Sequence, residues 1–280
     1  MKIINSILDI IDSYELIILD IFGVIHNGSA LYPNVKDTIA KLNAKNKTII
    51  FLSNAPRRAE TTRKRLEDFS IYKGKEYVDI VTSGEVAFHS FNKSSVIQKY
   101  LYLGPEKDRN IFAGTTKMQE SNAENADFVI ATGLDIHEEV QDVQPQLDIA
   151  LKQNLLFYCI NPDKMVHKAD GRSHICAGAV ADRYLEMGGK VEYFGKPYPN
   201  SYEYISSTYN TPKDKIIAVG DGIITDVLGA NNFGCDSLLI ASGLLHTEIP
   251  INVGEELNKK HIDKINEIYN IDSTYIASLF

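Results

Sequence analysis

The chain has 280 residues, 44% of them hydrophobic, enough to bury a core in one large domain or two smaller ones. Its net charge of −8 argues against the basic surface that a nucleic-acid partner requires. Three cysteines without CxxC spacing (Cys159, Cys176, Cys235) argue against a disulfide framework or zinc site, and no apolar run approaches the roughly 20 residues of a bilayer span, so a cytoplasmic protein with neither nucleic-acid nor membrane partner is expected.

Ile3, Ile4, Ile7, Leu8 and Ile11 fall at helical spacing and predict an amphipathic helix. The apolar run Leu16–Leu19 predicts a buried strand that delivers Asp20 to a glycine-containing loop, D-I-F-G-V-I-H-N-G. A helix opens at Pro33-Asn34, and 48–52 is a second buried strand ending at Ser53-Asn54. A charged helix over 59–69, a strand near 78–81 and a short helix from Gly84 follow. In the middle third, 99–103, 127–132 and 155–160 are strand-like, 136–152 and 177–187 helical. Regular alternation resumes with a helix after Pro199, a buried strand 216–219 ending at Gly220-Asp221, and a strand 237–240. This alternation predicts a doubly wound α/β, Rossmann-like core over 1–92 and 191–280, interrupted by an inserted α/β domain over 93–190.

Parallel strands bring their carboxyl ends to one edge, so Asp20, Ser53, Asn54, Asp221 and Asp226 can converge there, with Lys196 of G-K-P nearby. Three carboxylates together repel unless a cation joins them, and an all-oxygen site suits Mg²⁺, which also binds substrate phosphate. The hydroxyl, amide and lysine supply donors for the other phosphate oxygens, and Asp20 could attack phosphorus to form an aspartyl-phosphate. Gly23 lets the loop backbone approach the phosphate.

These residues resemble the haloacid dehalogenase (HAD) superfamily, in its NagD-like branch (subfamily IIA, with a C2-type cap). The resemblance rests on D-I-F-G-V, S-N, G-K-P and G-D-G-I-I-T-D, and on A-T-G-L-D (131–135), N-P-D (161–163), C-A-G-A (176–179) and A-S-G-L-L (241–245), all in the family's order. It implies that Asp20 is nucleophile and metal ligand, Ser53 the phosphate-binding hydroxyl, and Lys196 the lysine that neutralises both nucleophile and phosphate. It further implies metal ligation by Asp221, Asp226 and the backbone carbonyl of Phe22. Asp163 and the Cys176–Gly178 turn become substrate-contact candidates on the cap. The implied activity is Mg²⁺-dependent hydrolysis of a small phosphorylated metabolite, such as a nucleotide or sugar phosphate, by a protein that could dimerise through its cap.

One position departs from that pattern. Phosphatases of the family usually carry a second aspartate two residues after the nucleophile, as acid and then base; here it is Phe22. His26, in the same loop, is the candidate substitute; the plainer reading is a loop histidine bonded to backbone. Two alternatives stay open: a weakly active or inactive homologue that binds metal and phosphate, and a metal-free dehalogenase, whose relatives carry an aromatic residue at this position. Asn54 could position the Asp20 loop or the substrate, or simply make a turn. The basic cluster Arg57, Arg58, Arg63, Lys64 and Arg65 reads as a solvated helix start, with Arg57 the member that could reach substrate.

Overall fold

The computed structural model describes residues 1–120, 122–167, 173–243, 249 and 251–280. The chain divides into two compact units, the first comprising Met1–Ser53, Glu60–Val81 and Lys196–Phe280, the second Asn54–Ala59 and Thr82–Gly195. The crossovers fall at 81/82 and 195/196, where the sequence suggested 92/93 and 190/191. The reason is local to the second unit. Thr82 caps the helix that follows it and donates to the Arg57 carbonyl (2.7 Å), while Glu85 on that helix accepts from Arg58 and from the Ala59 N–H. Helix and 54–59 segment are thereby tied to each other.

In chain order the strands are β1 (Lys2–Ile3), β2 (Leu16–Leu19), β3 (Thr48–Ser53), β4 (Asp79–Thr82), β5 (Gln98–Leu103), β6 (Lys117–Glu120), β7 (Phe128–Ala131), β8 (Leu156–Cys159), β9 (Met165–His167), β10 (Ser173–Ile175), β11 (Lys190–Tyr193), β12 (Ile216–Gly220), β13 (Asp236–Ile240) and β14 (Tyr275–Ala277). The helices are α1 (Val35–Ala44), α2 (Ala59–Asp68), α3 (Ser83–Asn92), α4 (Gln144–Lys152), α5 (Ala177–Glu186), α6 (Asn200–Thr208), α7 (Leu228–Phe233) and α8 (Lys259–Ile268).

The first unit is built on a seven-stranded sheet, order β1-β14-β13-β12-β2-β3-β4. Its central strands pair in parallel, with Leu16–Leu19 beside both Ile216–Val219 and Thr48–Phe51. β2 and β12 are buried at every position, as expected of strands covered on both faces. The second unit has a parallel five-stranded sheet, β11-β8-β7-β5-β6, and a small antiparallel pair, β9–β10. Its core packs Phe157 and Tyr184 against Leu147, Val180 and Ala181. The fold is therefore an α/β doubly wound core with an inserted α/β domain.

Two elements depart from the sequence pattern. The helix expected from Ile3 to Ile11 is instead β1 followed by two 3₁₀ turns, Ile7–Asp9 and Ile11–Ser13, because Lys2 and Ile3 pair with Tyr275 and Ile276 at the far end of the chain. The helix expected over 136–152 starts later: a 3₁₀ turn, Val140–Val143, leads into α4, whose first turn holds Pro145. Among the described residues no helix is long and apolar enough to cross a membrane. Leu244 and Leu245 of A-S-G-L-L lie outside the described residues.

Candidate active site

The site lies at the carboxyl edge of the first unit's sheet. β2 ends at Leu19, and the Asp20 N–H still donates to Val219 O (2.8 Å), so Asp20 leaves the sheet beside the end of β12, where Gly220 gives way to Asp221. Ser53 closes β3 on the same edge, since Leu19 is in register with Phe51. Asp226 comes from a π-helical turn, Ile223–Val227, whose wide winding follows directly on Asp221-Gly222.

Asp20, Asp221 and Asp226 are buried, and one carboxylate oxygen of each lies within 4.8 Å of the others. Lys196, also buried, reaches two of them: Nζ donates to Asp20 Oδ1 at 2.5 Å and to Asp226 Oδ1 at 2.7 Å. The other oxygen of Asp226 accepts from the Gly222 N–H (3.1 Å) and the Thr225 hydroxyl (3.3 Å), which fixes the orientation of the carboxylate. Burial raises the Asp20 carboxyl to about 7, opposed by the Lys196 charge and reinforced by Asp226. Burial alone would lower Lys196, but the carboxylates of Asp20 and Asp226 outweigh it and hold the ammonium well above its ordinary value.

Glycines make this crowding possible. A Cβ on Gly23 would fall 1.9 Å from Asp221 Oδ2, and one on Gly243 would fall 2.2 Å from the same oxygen. Gly23 also sits at φ +91°, where side chains are disfavoured. The sequence suggested Gly23 as a backbone approach to phosphate; the structure adds that its missing side chain leaves room for the Asp221 carboxylate. Tyr202 is a supporting residue that the sequence did not distinguish from general packing. Fully buried against Phe233, it donates its hydroxyl to the Asp226 carbonyl at 3.3 Å.

The loop after Asp20 folds on itself: Ile25 N–H donates to Ile21 O, Gly23 N–H to His26 O, and Tyr32 N–H to Ile25 O. Phe22 is 48% exposed, and its ring meets His26 edge-on at 6.0 Å. His26 is only 6% exposed; it stacks on Phe69 at 4.9 Å and accepts the Gly28 N–H on Nδ1 at 3.0 Å. Burial, with the nearby Arg65 charge, lowers it to about 4, so it is neutral at physiological pH. This geometry speaks against His26 as the substitute acid and favours the plainer reading, a loop histidine bonded to backbone.

The remaining candidates belong to the second unit. The Asn54 amide donates to Asp163 Oδ1 at 2.9 Å, so these two expected substrate contacts hold each other. Arg57 pairs with buried Asp108 (3.1 Å), and Arg58 lies over Phe88 and pairs with Glu85. In the first unit Arg63 pairs with Glu60 and Glu67, and Arg65 with Asp68. Each arginine of the basic cluster is therefore engaged within its own unit. Cys176 is buried and pushed up to about 12, as suits packing rather than thiol chemistry.

A strand-end carboxylate cluster crossed by a lysine, on a doubly wound sheet with an insertion, defines a class of hydrolase. Residues 17–116 match the family described as haloacid dehalogenase-like hydrolase, and residues 193–262 match the one described as HAD-hydrolase-like. Phosphoglycolate phosphatase 1A of Arabidopsis thaliana is 25% identical over 84% of this chain and 70% of its own length. The 4-nitrophenylphosphatase of Schizosaccharomyces pombe is 23% identical over 86% and 88%. A haloacid dehalogenase-like hydrolase from Brucella suis superimposes with a TM-score of 0.79 at 28% identity, covering 99% of both chains. The chain belongs to the haloacid dehalogenase-like hydrolases. Proteins named for 4-nitrophenylphosphatase activity or as NagD are among those it resembles.

Proposed function

We propose that this protein is a Mg²⁺-dependent phosphatase that hydrolyses small phosphate monoesters through a phosphorylated Asp20. The observation that carries the reading is the Lys196 bridge between Asp20 and Asp226, with Asp221 beside them at a sheet's carboxyl edge. One ammonium facing three buried carboxylates leaves negative charge that a divalent cation would balance, and an oxygen-only donor set fits Mg²⁺. Asp20, Asp221, Asp226 and the Phe22 carbonyl would hold it, and when bound it supplies Lewis-acid stabilisation of the phosphoryl oxygens. The same charge balance disfavours a metal-free dehalogenase.

Asp20 Oδ bonds to phosphorus as the bond to the ester oxygen breaks, that oxygen leaving with the electron pair and taking a proton from solvent, while Lys196 keeps the carboxylate ionised and neutralises charge on the phosphoryl group. Ser53 donates its hydroxyl to a phosphate oxygen. Water then attacks the phosphorus of phosphorylated Asp20, releasing phosphate and restoring the carboxylate. The inserted domain acts as the cap, with the Asn54–Asp163 pair a constraint on its substrate-selecting loop. 4-Nitrophenyl phosphate, the substrate for which one relative is named, belongs to the proposed substrate class.

The test is hydrolysis of 4-nitrophenyl phosphate with Mg²⁺, with chelator, and by Asp20→Asn. Turnover that needs both the metal and Asp20 supports the proposal. An Asp20→Asn variant as active as the wild type contradicts it.

A further inference from the structure

A phosphate ester loses its leaving group in one of two ways: the departing oxygen takes a proton in the transition state, or it leaves as an anion. Few groups here could give that proton. From Asp20 to Gly28 the one titratable side chain besides Asp20 is His26, whose Nδ1 holds the Gly28 N–H and whose ring is packed on Phe69. Lys196 is bonded to Asp20 and Asp226, and Asp226 is further bonded by Gly222 and Thr225. What the loop presents instead is the exposed ring of Phe22. Behind it runs a continuous stack: His26 edge-on at 6.0 Å, Phe69 on His26 at 4.9 Å, and the Arg65 guanidinium over Phe69 at 4.9 Å. Arg65 also donates to the Gly28 carbonyl, so the stack is anchored at both ends of the loop.

We propose that Phe22 makes the acidity of the leaving group the specificity filter of this site, which takes phosphate esters of phenols or enols and accumulates phosphorylated Asp20 during turnover. The inference rests on the reading of Asp20 as nucleophile. Asp20 Oδ bonds to phosphorus while the bond from phosphorus to the leaving oxygen breaks; that oxygen keeps the electron pair and is protonated afterwards by solvent. Phenolate or enolate can depart this way; an alkoxide cannot. The braced, exposed ring gives a flat leaving group an aromatic contact. In the second half water attacks the same phosphorus, the electron pair of the breaking bond returns to Asp20, and the water's proton goes to solvent. Acid or base assistance is typically worth roughly 10²–10⁴-fold. Its absence leaves the first half unhindered for acidic leaving groups and slows the second, so the phosphorylated form builds up.

The experiment compares the Mg²⁺-loaded full chain with Phe22→Asp, Phe22→Leu, Tyr32→Phe and Asp20→Asn on substituted phenyl phosphates and simple alkyl phosphates, by rapid quench and steady state. Tyr32 is included because its hydroxyl lies in the field of Asp221. Wild type is expected to release a first-turnover burst of phenol stoichiometric with enzyme. Its kcat/KM is expected to fall from phenyl to alkyl esters by roughly 10²–10⁴-fold more than that of Phe22→Asp. Phe22→Leu should keep the steep dependence but raise KM for the phenyl esters severalfold. A wild type with no burst, a leaving-group dependence equal to that of Phe22→Asp, or a Tyr32→Phe variant that selectively loses alkyl substrates overturns the inference. If Phe22→Asp does not fold, the wild-type burst and the wild-type dependence decide it. Asp20-dependent hydrolysis that is indifferent to the leaving group defeats this inference alone; hydrolysis that survives Asp20→Asn defeats the reading beneath it.

Discussion

Lys196→Met is the substitution whose consequences the structure defines most fully. The ammonium is removed from between Asp20 and Asp226, both almost fully buried, and Asp221 lies within 4.8 Å. Two unit charges at that separation repel by about 3.5 kcal/mol at an effective dielectric constant of about 20. Removing one partner from a buried ion pair costs roughly 3–5 kcal/mol, so the two routes agree. At roughly 2–4 °C per kcal/mol, the metal-free variant should melt on the order of 10 °C below wild type at pH 8. The sign of the pH effect follows from Asp20. Its folded value, about 7, lies above its ordinary 3.8, so the folded state binds a proton that the unfolded state has lost, and its contribution to stability falls as pH rises through that window. Without Lys196 the carboxyl rises further, so the variant's deficit should shrink at pH 5, where protonation of Asp20 removes one of the repelling charges. Circular dichroism melts in chelator at pH 5 and pH 8 measure this, and added Mg²⁺ should raise the Tm of the variant more than that of wild type. Equal stability at pH 8, or the same deficit at both pH values, would refute the reasoning.

Gly23→Ala should strain a left-handed backbone and drive a methyl into the Asp221 carboxylate, weakening Mg²⁺ binding at least roughly ten-fold by calorimetric titration. Gly28→Ala is the control: φ is +92°, but its Cβ would meet only the Phe22 ring, at 3.4 Å, so stability should fall while Mg²⁺ affinity holds. Equal loss of affinity in both would show that displacement of Asp221 is not the cause. His26→Phe keeps the stack on Phe69 and loses one hydrogen bond, a change of about 1 kcal/mol, and should leave kcat and its pH profile unchanged. Because His26 is held neutral, its folded value of about 4 against 6.5 withdraws stability as pH falls through that range, and the variant's acid melt should be flatter there. A loss of activity beyond about ten-fold would restore His26 to the chemistry.

The parallel core was legible because its strands are short apolar runs closed by polar residues: Leu16–Leu19 before Asp20, Thr48–Leu52 before Ser53, Ile216–Val219 before Gly220-Asp221. Alternation with helices then placed those polar residues on one edge without any distance being known. What the sequence withheld depends on partners far along the chain. The periodicity of Ile3–Ile11 suited a helix, yet β1 is drawn out by its pairing with β14, itself too short to leave a pattern. The role of Gly23 depends on Asp221, and that of Tyr202 on the carbonyl of Asp226, neither visible locally. His26 is the clearest case: loop position and residue type suggested proton transfer, while stacking on Phe69 and the bond to Gly28 make it part of the loop's support.

The central claim is that phosphorus passes through Asp20. Acid-quenched reactions with Mg²⁺ and an aryl phosphate, followed by peptide mapping by mass spectrometry, test it most directly. A phosphoryl group on the peptide carrying Asp20, absent from Asp20→Asn and absent in chelator, is the predicted result. Sustained Mg²⁺-dependent hydrolysis with that peptide unmodified at every quench time would contradict the account.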